Sequence, residues 1–312
     1  MNFSTFRQRL KPWMLPIAMI LGVVLHNYIG YVAFLSKYLI FIMLLITYCR
    51  VKISDFRVGP YIWWLLAIQL LGSVAVYFLL LPFSKILAMG GFICIFCPTA
   101  TAAPVVAGML GGSVSRVATY SLFSHTSVAF LAPVILSWMA GSAESASFGT
   151  SLLSIATTVL PLILGPLAVA LLMQRFSPRV HSQIANHQGL SFYIWAFALI
   201  IVVGNSVSFI LKEPVSMIPE IIALAIISGL ACVIQFAIGR LIGKHYGDAV
   251  SGAQSLGQKN TVLAVWLSLT YLDPIVSAAP AAYVAWHNTV NSYQIFRHEK
   301  RHTNPKSRPS QK

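Results

Sequence analysis

The sequence predicts an all-α polytopic membrane protein with ten transmembrane helices, arranged as two inverted five-helix repeats. Three observations lead to this fold class: 57% of the residues are apolar and only 9% charged, about ten apolar runs approach membrane length, and the basic residues are distributed one-sidedly. A soluble domain carries about 25% charged residues, so this chain has too few to cover a surface that faces water. A soluble enzyme, a disordered chain and a disulfide-rich secreted module are therefore excluded.

Ten runs qualify as candidate spans, because a spanning helix needs roughly 20 mostly apolar residues. They are Pro12–Tyr28, Tyr31–Cys49, Pro60–Leu81, Ile86–Leu110, Val117–Ala140, Leu152–Met173, Leu190–Leu211, Ile218–Leu241, Ala249–Leu272 and Pro274–Ile295. Short polar separators lie between them, among them Arg50–Lys52, Gly111–Ser115, Gly141–Ser147 and Arg175–Gly189. The chain is thus expected to form a single membrane unit over residues 1–312.

The basic residues predict the orientation, because cytoplasmic loops carry an excess of lysine and arginine. With a cytoplasmic amino terminus, 17 of the 21 basic residues fall inside: Arg7, Arg9, Lys11, Arg50, Lys52, Arg57, Arg116, Arg175, Arg179, Arg240, Lys244, Arg297, Lys300, Arg301, Lys306, Arg308 and Lys312. Both termini are therefore predicted to be cytoplasmic, the carboxyl terminus as a basic tail over residues 296–312. The lipid bilayer explains the net charge of +14 without a nucleic-acid partner.

The ten spans divide into a first repeat over residues 12–141 and a second over 150–295. Since each repeat has an odd number of spans, the second enters from the opposite face and is inverted. The fourth span of each repeat is interrupted, by Cys97 to Pro104 in the first and by the polar run Gly252 to Asn260 in the second. Such a matched pair is typical of the substrate site of a secondary transporter, while an ordinary kinked helix packed by small residues is the alternative.

At these residues the sequence resembles the bile acid:sodium symporter family. Cys97-Pro98-x-x-Thr101-Ala102 is similar to its fourth-helix motif, Gly257-x-x-Asn260 to its ninth-helix motif, and Pro280-Ala281-Ala282-x-x-x-Trp286-His287-Asn288 to its tenth. The resemblance implies a panel bundle of spans 1, 2, 6 and 7 and a core bundle of spans 3–5 and 8–10. It also implies that the unwound fourth and ninth helices cross beside a cavity for an organic anion, and that the protein resides in the plasma (bacterial inner) membrane. The substrates it implies are bile-acid-like steroids or small carboxylates.

The departures from the family pattern concern the sodium sites. The positions of the family's Ser-Asn pair are occupied by residues 103–104, Ala-Pro, while its Glu is replaced by Ser255 and its Gln by Lys259. Gln69 on the third span and the hydroxyl of Ser121 on the fifth match the family's remaining ligands. Because the anionic ligand and two side-chain oxygens are missing, we expect a degenerate sodium site that holds neither a metal ion nor another cofactor.

Our hypothesis for Lys259 is that its ammonium replaces the sodium ion. A permanently protonated lysine predicts a sodium-independent uniporter or exchanger of organic anions, whereas a titrating lysine predicts a proton-coupled symporter. The alternative is that Lys259 snorkels to an aqueous face. A sodium symporter that uses backbone carbonyls is a second candidate function. The third is an intramembrane enzyme or sensor. An enzyme would need another group to orient its base, and we do not expect the protein to be an enzyme.

The remaining candidates lie beside the breaks or on neighbouring spans. Thr99, Thr101, Pro98 and Pro104 belong to the first break, and Gln258 and Asn260 to the second. His125 follows Ser121 by one turn and is the second candidate for proton coupling, or else a core imidazole. His287 and Asn288 are expected to contact either substrate or neighbouring helices. Asn205 and Gln235 are expected to hydrogen-bond between helices.

Overall fold

The computed structural model describes residues 14–49, 58–140, 148–186 and 188–303. Within these ranges the chain is helical throughout, apart from turns and one isolated antiparallel bridge. The start of the first predicted span, the predicted separators at 50–52 and 141–147, and the end of the basic tail lie outside the described residues. The described part confirms the all-α class.

Fourteen α-helices are numbered here in chain order over the described ranges. They are α1 (Met14–Val24), α2 (His26–Ile29), α3 (Leu35–Cys49), α4 (Pro60–Leu80), α5 (Lys85–Phe96), α6 (Ala103–Met109), α7 (Val114–Ala140), α8 (Phe148–Phe176), α9 (Pro178–Asn186), α10 (Gln188–Ile210), α11 (Ile218–His245), α12 (Ala249–Gly257), α13 (Thr261–Tyr271) and α14 (Ala278–Thr303). Short 3-10 turns precede α11 and α14.

Five helical segments in the described part are long and apolar enough to cross a membrane. They are Pro60–Leu80, Val114–Met139, Phe148–Phe176, Tyr193–Ile210 and Val215–His245. Large apolar side chains point outward from two of them, including Leu71 and Phe78 on α4 and Leu230 and Val233 on α11. An apolar outer surface of this kind indicates an integral membrane protein.

The structure places helices in two segments that the sequence predicted to be a polar separator or a tail. Helix α9 occupies most of the predicted separator Arg175–Gly189, because Ile184 and Ala185 pack against the apolar core while Arg179 stays exposed. A nine-residue amphipathic helix is too short and too polar to be found by a search for spans. At the other end, α14 continues beyond Ile295 to Thr303, so the first part of the predicted tail is helical.

The helices pack in two groups, which are joined by extensive contact between α7 and α8. Helices α1, α3, α8 and α10 form one group, in which α10 packs on α1 and α3, and α3 packs on α8. Helix α11 is at the centre of the other, where it packs on α5, α12 and α14. Within the first group, α1 and α10 approach closely at glycines: a Cβ on Gly204 would lie 2.7 Å from the Gly22 carbonyl oxygen.

Close backbone contact also joins α11 and α12. A Cβ on Gly252 would lie 2.0 Å from the carbonyl oxygen of Gly239 and 2.7 Å from the Cα of Gly243. Small residues permit this approach, since a side chain on any of the three would separate the helices. The contact holds α12, the helix that leads into the second break, directly against α11.

Candidate functional site: two paired helix breaks

The two interrupted segments lie side by side and run antiparallel. Helix α5 ends at Phe96 and α6 begins at Ala103, while α12 ends at Gly257 and α13 begins at Thr261. Thr99 and Lys259 form an antiparallel backbone bridge between the two breaks. Two hydrogen bonds flank it: Ala100 N donates to Gln258 O at 3.1 Å, and Asn260 N donates to Pro98 O at 2.8 Å. The breaks are therefore one structural unit built from distant parts of the sequence.

Local sequence explains where each helix stops. Cys97 precedes a proline, which disfavours the helical conformation, and its ψ is 147°. In the second break Gln258 is extended with ψ 120°. Asn260 then restarts the helix, because its side-chain oxygen accepts a hydrogen bond from Leu263 N at 3.2 Å.

Lys259 lies at the carboxyl end of the half-helix α5. Its Nζ donates to the carbonyl oxygen of Ile95 at 2.7 Å, and the residue is only 2% exposed. The last carbonyls of a helix have no partner within the helix and carry partial negative charge, which a cation stabilises. The side chain thus points into the crossing rather than to an aqueous face, contrary to the snorkelling alternative.

Gln69 on α4 supplies a second hydrogen-bond donor to the carboxyl end of α5. Its Nε2 donates to Phe96 O at 2.7 Å, and its Oε1 accepts hydrogen bonds from Tyr120 at 2.6 Å and Ser124 at 2.7 Å. Gln69 is fully buried. Three helices are therefore connected through one amide: α4, α5 and α7.

The carboxyl end of α12 is satisfied in a similar way by side chains from other elements. Thr99 Oγ1 donates to Ser255 O at 2.7 Å, and the hydroxyl of Tyr283 on α14 donates to Gly257 O at 2.8 Å. The hydroxyls of Tyr61 and Ser255 lie 3.2 Å apart. Each half-helix thus ends on donors supplied by the other break or by a flanking helix, which explains how its last carbonyls are tolerated in a buried position.

The side chains at the crossing do not provide the oxygen ligands that a sodium ion needs. Sodium needs several oxygen ligands, yet Ala103 and Pro104 offer no side-chain oxygen, and the Oε1 of Gln69 already accepts two hydrogen bonds. The carbonyl of Ile95 accepts from the ammonium of Lys259. Among the described residues, no group of His, Cys, Asp or Glu is placed to hold a metal ion.

A chain of amides leads away from the second break. The Nε2 of Gln258 donates to Gln254 Oε1, and the Nε2 of Gln254 donates to Gln294 Oε1 at 2.8 Å. Gln254 and Gln258 are buried. This path joins the crossing to α14, and the prediction from sequence included only its first member.

Ser121 and His125 lie on the side of α7 that faces α3. His125 Nδ1 is 2.7 Å from Ser121 O, and the ring packs edge-on against Tyr48, with centroids 6.0 Å apart. Within the described residues the Nε2 of His125 and the hydroxyl of Tyr48 have no hydrogen-bond partner. No hydrogen bond in the described part joins Ser121 or His125 to either break.

His287 and Asn288 lie on α14, next to the helix end that Tyr283 caps. The rings of His287 and Tyr283 pack edge-on at 5.7 Å. Both ring nitrogens of His287, the Nδ2 of Asn288 and the Oδ1 of Asn291 are buried without a partner in the described part of the chain. These atoms can bind water or a ligand, since buried polar groups left unpaired cost free energy.

Sequence reasoning missed several residues that hold the crossing together. Tyr120 and Tyr283 are among them, because a buried tyrosine in an apolar helix gives no signal of its hydroxyl's partner. Ser124 lies in a polar run beside Ser121, but which of the two hydroxyls reaches Gln69 depends on the rotation of α7 about its axis. Thr101 is buried, and Pro104 lies in the first turn of α6, as a residue without an N–H can. Gln235 does join helices as expected, since it donates to Cys94 O at 3.3 Å and to the Tyr283 hydroxyl at 3.0 Å.

Comparison with known proteins adds no relative: no family model matches the sequence, and no curated protein matches it.

Proposed function

We propose that this protein is a secondary transporter of organic anions that works by alternating access, with Lys259 in the place of a sodium ion. The observation that carries the proposal is the position of the Lys259 ammonium, which is buried between two paired helix breaks and bound to the carbonyl of Ile95. A tethered cation would hold both breaks in the arrangement that a bound metal ion imposes elsewhere. Transport would then be independent of sodium or coupled to protons.

The packing of the helices supports this proposal. The group α1, α3, α8 and α10 would be the panel, and the group around α11 would be the core that carries both breaks. Counting α1 with α2, α5 with α6, and α12 with α13 as one span each, and leaving out α9, gives ten spans in two sets of five. The fourth span of each set is then the broken one, as an inverted repeat requires.

The charge of the site supports an anionic substrate. The ammonium of Lys259 has no carboxylate partner among the described residues, and the amino end of α13 begins beside it at Thr261. Positive groups and helix amino termini favour anions. Bile-acid-like steroids and small carboxylates both satisfy this requirement. In this proposal the protein resides in the bacterial inner membrane with both termini in the cytoplasm, and it is not an enzyme.

Uptake into proteoliposomes tests the proposal. Labelled anions from a panel of steroid sulfates, bile acids and small carboxylates are offered under an imposed sodium gradient, an imposed pH gradient, or neither. We expect at least one anion to exchange against its unlabelled form without a sodium gradient. Uptake that requires sodium would show the altered sodium symporter instead, and conversion of the anion to a new compound would show an enzyme.

A further inference from the structure

The end of helix α8 and the start of α9 form a corner that carries two arginines. This α8–α9 corner comprises residues 175–180, where α8 ends at Phe176 and α9 begins at Pro178. Helix α8 is long and apolar enough to cross a membrane, and its 29 residues make it about 43 Å long at 1.5 Å per residue. Since the hydrocarbon core of a bilayer is only about 30 Å thick, the corner lies at the level of the lipid headgroups.

The two arginines of the corner are not used by the described part of the protein. Arg175 and Arg179 are exposed, and their guanidinium groups make no hydrogen bond or ion pair with another described residue. By contrast, Arg116 donates to Tyr246 O at 2.9 Å and lies over the ring of Tyr61. The sequence from 148 to 212 contains no Asp or Glu. Two planar groups with several donors each are therefore available to an anion.

Exposed apolar side chains lie directly beside these arginines. Phe176 is 76% exposed, and Leu172, one turn earlier on α8, and Val180 on α9 are exposed as well. Helix α9 is fixed by its other side, because Ile184 and Ala185 pack against the apolar core. Exposed apolar groups next to cations are typical of a segment at the membrane interface, where the apolar groups enter the acyl chains and the cations stay among the headgroups.

We propose that the α8–α9 corner binds the headgroup of an anionic phospholipid. Arg175 and Arg179 donate to the phosphodiester oxygens, which a guanidinium can bind with two parallel donors, and Phe176 and Leu172 contact the acyl chains. Because α9 packs on α3 and α8, a lipid bound here anchors that helix group to the membrane surface. The site requires that α8 spans a bilayer, and it is independent of what the protein transports.

Lipid binding to the full-length protein in detergent micelles tests the site, with native mass spectrometry as the measurement. The probes are dioleoylphosphatidylglycerol, which is anionic, and dioleoylphosphatidylcholine, which has the same acyl chains and no net charge. Glycerophosphoglycerol and inorganic phosphate are the competitors without acyl chains. We expect the anionic lipid to bind more tightly than the zwitterionic one, and a large excess of either competitor to leave it bound. Displacement by a competitor would show a site for soluble phosphates and would overturn the assignment to lipid.

Two double variants with equal changes of charge supply the matched comparison. Arg175→Gln/Arg179→Gln should lower the affinity for phosphatidylglycerol roughly 25-fold, because each basic residue at an anionic surface contributes about fivefold, and should leave phosphatidylcholine binding unchanged. Arg240→Gln/Lys244→Gln removes two exposed cations with the same spacing from the end of α11. This control should resemble the parent protein. An equal loss of affinity in the two double variants would show long-range attraction by net charge and would refute a site at the corner.

Two further variants separate the contributions of charge and apolar contact. Arg175→Lys/Arg179→Lys keeps both charges and should keep the preference for phosphatidylglycerol. Phe176→Ser should weaken both lipids alike, since Phe176 contacts the acyl chains, which the two lipids share. All three residues are exposed, so these variants should melt at the temperature of the parent protein in lipid-free detergent. Equal affinity of the parent protein for the two lipids, or loss of the preference in the lysine variant, would overturn the proposal.

Discussion

The ammonium of Lys259 lies 2.7 Å from the carbonyl oxygen of Ile95, a residue 164 positions earlier in the chain. This contact connects the second break to the last turn of the half-helix α5. It is accompanied by the backbone bridge between Thr99 and Lys259. One residue therefore contributes both its backbone and its side chain to the contact between the two breaks.

Loss of the Lys259 amine should weaken the contact between the two breaks. We expect Lys259→Met to reduce anion uptake roughly tenfold or more, because an unpaired buried carbonyl costs about 1–3 kcal/mol and each 1.4 kcal/mol is a factor of ten. The measurement is initial uptake rate in proteoliposomes at matched protein content. Lys244→Met, which removes an exposed lysine at the end of α11, is the control and should transport normally. Equal rates in the two variants would contradict a role for the amine.

Restoring oxygen ligands should restore a response to sodium. In the double variant Ser255→Glu/Lys259→Gln, a carboxylate and an amide replace the hydroxyl and the ammonium at the crossing. We expect Na⁺, but not choline, to raise the melting temperature of this variant, since a ligand at 100 times its Kd stabilises by about 2.7 kcal/mol. Lys259→Gln alone lacks the carboxylate and should show no sodium response. A shift of the melting temperature in both variants would contradict the need for the carboxylate.

A pH profile distinguishes the two candidates for proton coupling. Arginine stays protonated at all accessible pH values, so Lys259→Arg should transport at a rate that no longer depends on pH if Lys259 exchanges the proton. We expect His125→Gln to keep the wild-type profile, because the Nε2 of His125 has no partner in the described part of the chain to which it could pass a proton. Uptake rates from pH 5.5 to about 8.5, the range around the ordinary pKa of histidine, provide the test. A flat profile in the His125 variant would reverse the assignment.

Gln69→Leu should destabilise the protein more than its small change in volume suggests. The variant leaves the hydroxyls of Tyr120 and Ser124 without their acceptor and Phe96 O without its donor. We expect the free energy of unfolding to fall by about 3 kcal/mol, measured by denaturant or thermal unfolding in detergent. Thr289→Val removes a hydroxyl that bonds only to Ala285 O of its own helix. This control should be close to neutral.

Gly252→Ala should prevent α11 and α12 from packing. The new Cβ would lie 2.0 Å from Gly239 O, and backbone cannot move aside as a flexible side chain can. Overpacking costs about 1–3 kcal/mol or more, so we expect little folded protein on size-exclusion chromatography. Gly72→Ala places a methyl group in open space and should give a normal yield. Normal behaviour of both variants would show that the two helices are not packed as described.

The positions of the breaks could be predicted from sequence because their residues are conspicuous in apolar runs. Pro98 ends a helix by its covalent geometry, and Lys259 is the single charge in its run. The partner of Lys259 could not be predicted, since Ile95 takes part through its backbone, which is the same in every residue. Which hydroxyls donate to Gln69 depends on the rotation of α7 about its axis, and this rotation cannot be predicted from sequence.

The count of spans could be predicted only in part. Helices α5 and α13 have 12 and 11 residues, so neither crosses a membrane alone, and five described segments meet the length and hydropathy that a span requires. Apolar composition identifies continuous helices well and broken ones poorly, because each half is shorter than the bilayer. Helix α9 within the predicted separator was missed for the opposite reason, since that helix is stabilised by one apolar face rather than by overall hydropathy.

A cation that is part of the chain returns with the empty carrier in every cycle, whereas a dissolved ion is left behind on the far side. In the proposed mechanism the loaded and empty forms would then differ only by the charge of the cargo. A membrane voltage that is negative inside acts on that difference with about 2.3 kcal/mol per charge for each 100 mV, and it opposes inward movement of an anion. With Lys259 held at Ile95, the voltage would favour release of anions from the cell, and such a carrier would accumulate them only if a proton travelled inward as well or another anion left in exchange.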